Sequence, residues 1–311
     1  MRKTLLIIAL AAVLPIWCAP NHSKGHSFEL TIGGGYSSLG YNAKKVTDNL
    51  VPSSSGSYAL GAHIGYNWFF TEYVGLGIGV DAQRYGHSTS LNGTLTWQGV
   101  TDTDGELYDH RLALNSWKEN QQYWNVEIPL SLVFSFPIRE KVYITAQIGA
   151  KYCMPISGSY SGAGVLTHSG YYQPWNLTLE DKPNHGFYTE SDFHPKGNMP
   201  SRHYWSIFAK LGVAIPIVDQ LDLLIQANIN GAITPCVKEG EQQLIGFRND
   251  RAGQEQTHYF MNDYTALYNT EFTNGAIKPF SAGLEIGIRY TIRSNKRRSY
   301  PCRCLRDYYY Y

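Results

Sequence analysis

Trp124-Asn125-Val126-Glu127-Ile128-Pro129-Leu130-Ser131-Leu132-Val133-Phe134-Ser135-Phe136 is the stretch that decides how this chain is read. Its even positions are Trp, Val, Ile, Leu, Leu, Phe and Phe; its odd positions include Asn, Glu and Ser. In a strand, successive side chains point to opposite faces. One face is then fit for lipid and the other carries charge, over a length that crosses a bilayer when tilted. A water-soluble sandwich would bury its apolar face in a core. The repetition of the pattern, the loop spacing and the N-terminal leader together favour a membrane barrel.

The same alternation occurs seven more times. The first strand is predicted near Ser27 to Leu39, with Phe28, Leu30, Ile32 and Tyr36 opposite Glu29, Thr31, Gly33 and Gly35. The second runs near Ser57 to Phe70, with His63 among its inward residues, and the third from Tyr73 to Tyr85, with Asp81 inward. After the quoted fourth strand, the fifth sets Ile144, Ala146 and Ile148 against Thr145, Gln147 and Lys151. The sixth places Trp205, Ile207 and Leu211 outward and Lys210 inward. The seventh has Asp222 and the eighth Glu285 and Arg289 on the inward face.

The connections give a topology. Gaps after the odd strands are long, near 40–56, 87–121, 158–201 and 237–277; gaps after the even ones are a few residues. Short periplasmic turns, long outer loops and termini in the periplasm are the pattern of an outer-membrane barrel. An even strand count lets the sheet close without an edge, which hydrocarbon demands. The fold expected is all-β: an eight-stranded antiparallel transmembrane up-and-down β-barrel with long extracellular loops, spanning residues 26–293. If odd strands climb outward, Tyr36, Tyr58, Trp124, Tyr152 and Trp205 gather at the outer rim. Trp68, Phe70, Phe134, Phe136 and Tyr290 gather at the inner rim, which makes two aromatic girdles.

The "VEIPLSL" of Val126 to Leu132 and the "LEIGIRY" of Leu284 to Tyr290 resemble the outer-membrane β-barrel domain family of Bacteroidetes, also called PorT-like or OmpA-like barrels. The resemblance covers roughly residues 26–293. It implies the fold and an outer-membrane location, and hardly any biochemical activity. The chain has no segment resembling the periplasmic peptidoglycan-binding domain of full-length OmpA proteins. The PorT likeness implies, as an alternative role, an accessory subunit of an envelope or secretion machine.

Residues 1–19 read as an export signal: Arg2 and Lys3, then the apolar run Leu5 to Leu14. Trp17 fits poorly before a cleavage site and also departs from a lipobox at Cys18. Residues 294–311 form a basic, tyrosine-ending tail expected in the periplasm. The 24 Tyr and 30 Gly suit strands, girdles and a close-packed lumen. A formal net charge of +1 gives no reason to expect nucleic acid as a partner.

The inward charges, Glu29, His63, Asp81, Glu127, Lys151, Lys210, Asp222, Glu285 and Arg289, are expected to form a polar plug, since an eight-stranded interior is only wide enough for side chains. In the third long loop, Tyr171, Tyr172, Trp175 and Tyr188 are candidate contacts for a protein or glycan partner. Asp102-Thr103-Asp104-Gly105-Glu106 looks like a calcium loop, but its glycine falls too early for that spacing. His87 with Ser88 and Ser90 lies where small lipid-modifying barrel enzymes place catalytic residues, yet an odd offset puts His87 and Ser88 on opposite faces. No catalytic residue, cofactor or metal site is expected, the barrel is expected to be a monomer in outer-membrane lipid, and the non-enzymatic role expected is interaction through the loops or envelope integrity. Cys153 and Cys236 both point inward at the outer rim with one strand between them. Two strand spacings, about 9–10 Å, exceed disulfide reach and predict free thiols.

Overall fold

The computed structural model describes residues 25–40, 50–102, 104–139, 142–194, 196–199, 201–237, 246–247, 259–260 and 277–293. The leader, the basic tail with Cys302 and Cys304, and most of the fourth long connection lie outside the described residues.

Eight strands form a closed antiparallel ring: β1 (Gly25–Ser38), β2 (Leu50–Phe69), β3 (Val74–Thr101), β4 (Leu107–Arg139), β5 (Val142–Tyr172), β6 (Tyr204–Val218), β7 (Leu221–Ala232) and β8 (Phe280–Arg293). Sequence neighbours pair around the ring, and β1 pairs with β8 from Gly25↔Arg293 to Ser38↔Phe280. No barrel strand keeps a free edge, as hydrocarbon demands of a spanning sheet. The short connections are tight. At the β2–β3 turn, Thr71 Oγ1 accepts the backbone N–H groups of Tyr73 and Val74.

Register and parity explain the two faces. Ile32, Ile64, Leu130, Leu211 and Leu284 are each more than 60 % exposed, while Glu29, Thr31, Asp81, Glu127 and Arg289 are 3 % exposed or less. An apolar outside and a polar inside invert the soluble pattern, as a lipid-embedded barrel requires. Close packing also needs glycine: a Cβ on Gly287 would stand 2.0 Å from the carbonyl oxygen of Leu30 on the neighbouring strand.

The interior is layered. At the end bearing the long strands, Leu39, Tyr85, Tyr123, Tyr204, Val237 and Ile277 form an apolar lid that contains Cys153 and Cys236. Both cysteines are buried, free thiols. At the opposite end Phe69, Val133, Ala214 and Leu224 are buried and form a floor. The charged residues lie between these two layers.

Two of the long connections are not loops. The stretches 87–121 and 158–201 were expected as polar loops, but β3 continues to Thr101, β4 begins at Leu107 and β5 runs to Tyr172. Residues 50–56 likewise belong to β2 and pair with 87–93. From Trp124 at the rim to Leu107, β4 extends roughly 55 Å at 3.3 Å per residue. The strands Leu177–Leu179, Thr189–Phe193 and Lys196–Asn198 pair along the free side of β5 and cover its edge. The result is a folded sheet, here called the head, standing on the barrel.

Bulges hide this head from simple alternation. Ile156 is an extra residue in β5 opposite Trp124 and Asn125, so buried positions change from odd (Lys151, Cys153) to even (Tyr160, Leu166, His168, Tyr172). A second bulge at Ser116, with φ +54°, does the same in β4, where Asn92 Oδ1 accepts its N–H. Beyond it Leu114, Leu112, His110 and Tyr108 turn inward.

Candidate functional site

Inside the barrel the inward charges meet. Asp81 and Glu127 stand directly opposite one another on β3 and β4, a like-charge pair that repels on its own. Lys151 resolves the conflict: its Nζ lies 2.6 Å from Asp81 Oδ2 and 2.9 Å from Glu127 Oε2. His63 Nδ1 bonds the other Asp81 oxygen, and the Tyr85 hydroxyl donates to Glu127 Oε1 at 2.8 Å. Across the lumen, Lys210 pairs with Glu285 at 2.9 Å, and Asn228 and Thr31 donate to the same carboxylate. Gln147 donates to Glu29, and Arg289 holds Asp222 near the floor at 2.8 Å.

These contacts run across the barrel as well as between neighbouring strands, which ties opposite walls together. The cavities left beside Asp81, Gln83 and Glu285 measure about 10 Å³ each, the space of one water. A plug and not a channel follows from that geometry.

The girdle residues occupy the two rims. Tyr36, Tyr58, Trp124 and Trp205 are exposed on one rim, with Tyr152 half-buried against Trp205 at 5.1 Å. Trp68, Phe70, Phe136 and Tyr290 are exposed on the other, where Phe134 stacks on Phe136.

Of the four candidate loop contacts, the structure separates two from the rest. Trp175 is 57 % and Tyr188 38 % exposed. Tyr171 is half-buried beneath the Arg111 guanidinium, 4.1 Å above its ring. Tyr172 is buried, contrary to its expected place on an exposed loop, because the β5 bulge turns it inward against Tyr108 and Asp102. The Asp102–Glu106 segment closes the β3–β4 hairpin. Asp102 Oδ1 accepts the N–H groups of Asp104 and Glu106, so its carboxylate serves the turn. His87 is buried beside Ser38 Oγ at 3.3 Å, on the face opposite Ser88.

Alternation does not reveal the centre of the head. His110 Nε2 and His168 Nδ1 lie 3.3 Å apart and are buried. Phe187 stacks on His110, Tyr188 on His168, and Trp97 and Tyr108 pack beside them. Burial pushes the His168 imidazole down to about 4. Burial, with the neighbouring His168, pushes His110 to about 3. Both rings are therefore neutral at neutral pH and act as aromatic core. Beside this cluster Asp102 accepts the Tyr172 hydroxyl.

A closed antiparallel ring with an apolar belt, two aromatic rims and a plugged polar interior defines an outer-membrane-type β-barrel. The chain matches the outer membrane protein beta-barrel domain over residues 9–244 and belongs to that family, which places it in the outer membrane. The match stops before β8, and the structure supplies the closing strand. Comparison with curated proteins finds no match. Among solved structures, the attachment invasion locus protein Ail of Yersinia pestis is 10 % identical, covering 87 % of this chain and 100 % of its own, with a TM-score of 0.31. Neisserial surface protein A is 12 % identical over 87 % of this chain and 98 % of its own, at 0.33. The outer-membrane protease OmpT of Escherichia coli is 10 % identical over 86 % and 97 %, at 0.30. At these TM-scores none of the three speaks to this chain's ligand or chemistry.

Two outcomes are expected. Lys151→Met strands two buried carboxylates and costs about 3–5 kcal/mol of barrel stability. Urea unfolding in phospholipid vesicles reads it, and a loss below about 1 kcal/mol would mean that the carboxylates are already hydrated. The second concerns pH. With both histidine values lowered on folding, the unfolded head binds more protons, so its stability falls as pH drops from about 6.5 toward 4. Fluorescence of Trp97, which packs on His110, should change over that window while the barrel stays folded. His110→Phe should shrink that change, and His168→Phe added to it should remove it. A flat signal from pH 7 to 4 in the parent protein contradicts the buried neutral pair.

Proposed function

We propose that this is a non-enzymatic outer-membrane barrel that displays a rigid β-sheet head to the cell exterior for interaction. The observation that carries the reading is the continuation of β3, β4 and β5 far beyond the aromatic rim. A chain that needed only to close its barrel would end its strands at the rim, as β6 does at Tyr204 and β7 at Ala232. Here a second core of Trp117, Leu112, Leu114, Tyr172 and Phe187 is built outside the belt. Residues of a rigid platform lose little conformational entropy on binding.

The polar plug supports a scaffold role in preference to transport. The head points outward and the termini with the tight turns face the periplasm, in keeping with the usual placement of short turns in this class of barrel. Trp175 and Tyr188 are the exposed aromatics from which protein or glycan contact would start. The PorT-like branch of the family rests on Val126–Leu132 and Leu284–Tyr290 alone and remains part of this proposal.

Two measurements test it together. Single cysteines at Asn115 and Trp175 should label on intact cells with a membrane-impermeant maleimide, while cysteines at Glu72 and Asp219 should not. Labelling of the turns and not the head would reverse the orientation. A photo-crosslinking residue at position 175 or 188 should then yield a discrete adduct on intact cells, and the absence of any adduct at both sites would sink the interaction role.

A further inference from the structure

One surface of the head differs in charge from the acidic Asp102–Glu106 hairpin. On the lipid-facing side of the outer rim, a polar cavity of about 590 Å³ lies among Tyr58, Arg84, Gln122, Ser159 and Lys196. A second, of about 340 Å³, continues it between Lys118, Asn120, Ser161, His194 and Lys196. The two share Asn120, Ser161 and Lys196 and so form one groove. Among the described residues its lining includes Arg84, Lys118 and Lys196 and no carboxylate.

Arg84 makes this more than a basic patch. It is 8 % exposed, yet its partners are neutral: the guanidinium donates to the Tyr58 carbonyl at 2.9 Å and to Gln122 Oε1 at 3.1 Å. It also lies 3.8 Å over the Tyr58 ring, which fixes its plane. A nearly buried cation held only by neutral groups retains most of its desolvation cost, and an anion entering the cavity would offset it. Lys118 and Lys196 are exposed, and among the described residues neither has an ion-pair partner.

Depth identifies the anion. Arg84 pairs directly with Trp124 and sits on the face that carries Tyr58 and Trp124. That is the outer girdle, the level of lipid head groups. Lys118 is six residues up β4 from Trp124, so the groove rises roughly 20 Å from the girdle. Asn120, Gln122, Ser159 and Ser161 along it offer neutral hydrogen-bonding groups of the kind that suit hydroxyls. A single phosphate would use only one end of such a groove; a sugar chain bearing phosphates would use its length.

We propose that this groove binds the phosphate-bearing saccharide head of an outer-leaflet glycolipid, with Arg84 taking the phosphate nearest the membrane and Lys118 and Lys196 taking charge farther up the chain. The inference deepens the display reading and rests on its outward orientation. Binding by purified protein does not depend on orientation, so the cell-labelling result and the binding result can fail separately.

The test uses the full chain in nanodiscs and three probes: labelled lipopolysaccharide, the same material after enzymatic dephosphorylation, and its deacylated oligosaccharide. Lys118→Gln with Lys196→Gln should weaken lipopolysaccharide binding about tenfold or more and flatten its salt dependence. Arg84→Gln should weaken it further. Folding of each variant is checked by its heat-modifiable gel mobility. If Arg84→Gln does not fold, the lysine pair decides, because both side chains are exposed. Dephosphorylated lipopolysaccharide bound as tightly as the parent, or full affinity in the folded lysine variant, overturns the site. A deacylated oligosaccharide that binds as well as the intact glycolipid overturns the membrane as the source of the ligand.

Discussion

The structure depends on one constraint: in hydrocarbon, a backbone N–H or C=O without a partner costs several kcal/mol. The pairing of β1 with β8 meets it by closing the ring, from Gly25↔Arg293 to Ser38↔Phe280. Everything else follows from closure at eight strands. The interior becomes too narrow for a water channel, so it must be filled by side chains. Strand parity then decides which side chains those are, and glycine is required where neighbouring strands approach as closely as Leu30 and Gly287.

Filling the interior with charge has its own consequence. Five inward carboxylates face Lys151, Lys210, Arg289 and His63, and Asp81 and Glu127 are direct cross-strand neighbours. The arrangement is stable because Lys151 bridges both and because Tyr85, Asn228, Thr31 and Gln147 donate to the carboxylates. Apolar layers above and below keep water from dispersing these pairs. The network therefore fixes which strands face one another across the lumen, a specificity that an apolar filling would supply less sharply.

How much of this is legible in the sequence depends on where lipid imposes a rule. Between the girdles one face must be apolar, so Val126, Ile128, Leu130 and Leu132 declare the strand, its direction and the inward place of Glu127. Tyr36, Tyr58 and Trp124 mark the rim for the same reason. Above the rim the rule lapses. The strands of the head carry Thr, Ser, Asn and Gln on both faces, and the bulges at Ile156 and Ser116 reverse parity midway. So His110, His168 and Tyr172 look like loop residues when they are core. Arg84 escapes for a different reason: it sits in an outward series with Val80 and Ala82, where an arginine reads as an interruption. Only its position over Tyr58 and beside Gln122 shows that it lines a groove.

The central claim is that one sheet runs unbroken from the membrane into a folded head. Residue-resolved amide hydrogen exchange on the protein in nanodiscs tests it most directly. Amides of β4 from Leu112 to Tyr123, the bulged Ser116 apart, and of β5 from Tyr160 to His168, lie outside the belt yet have ladder partners. The account expects them to exchange slowly, within about tenfold to a hundredfold of the amides from Val126 to Leu132. Exchange of those segments at the rate of unstructured chain, beside a protected barrel, would show that the head is a set of loops and would contradict the account.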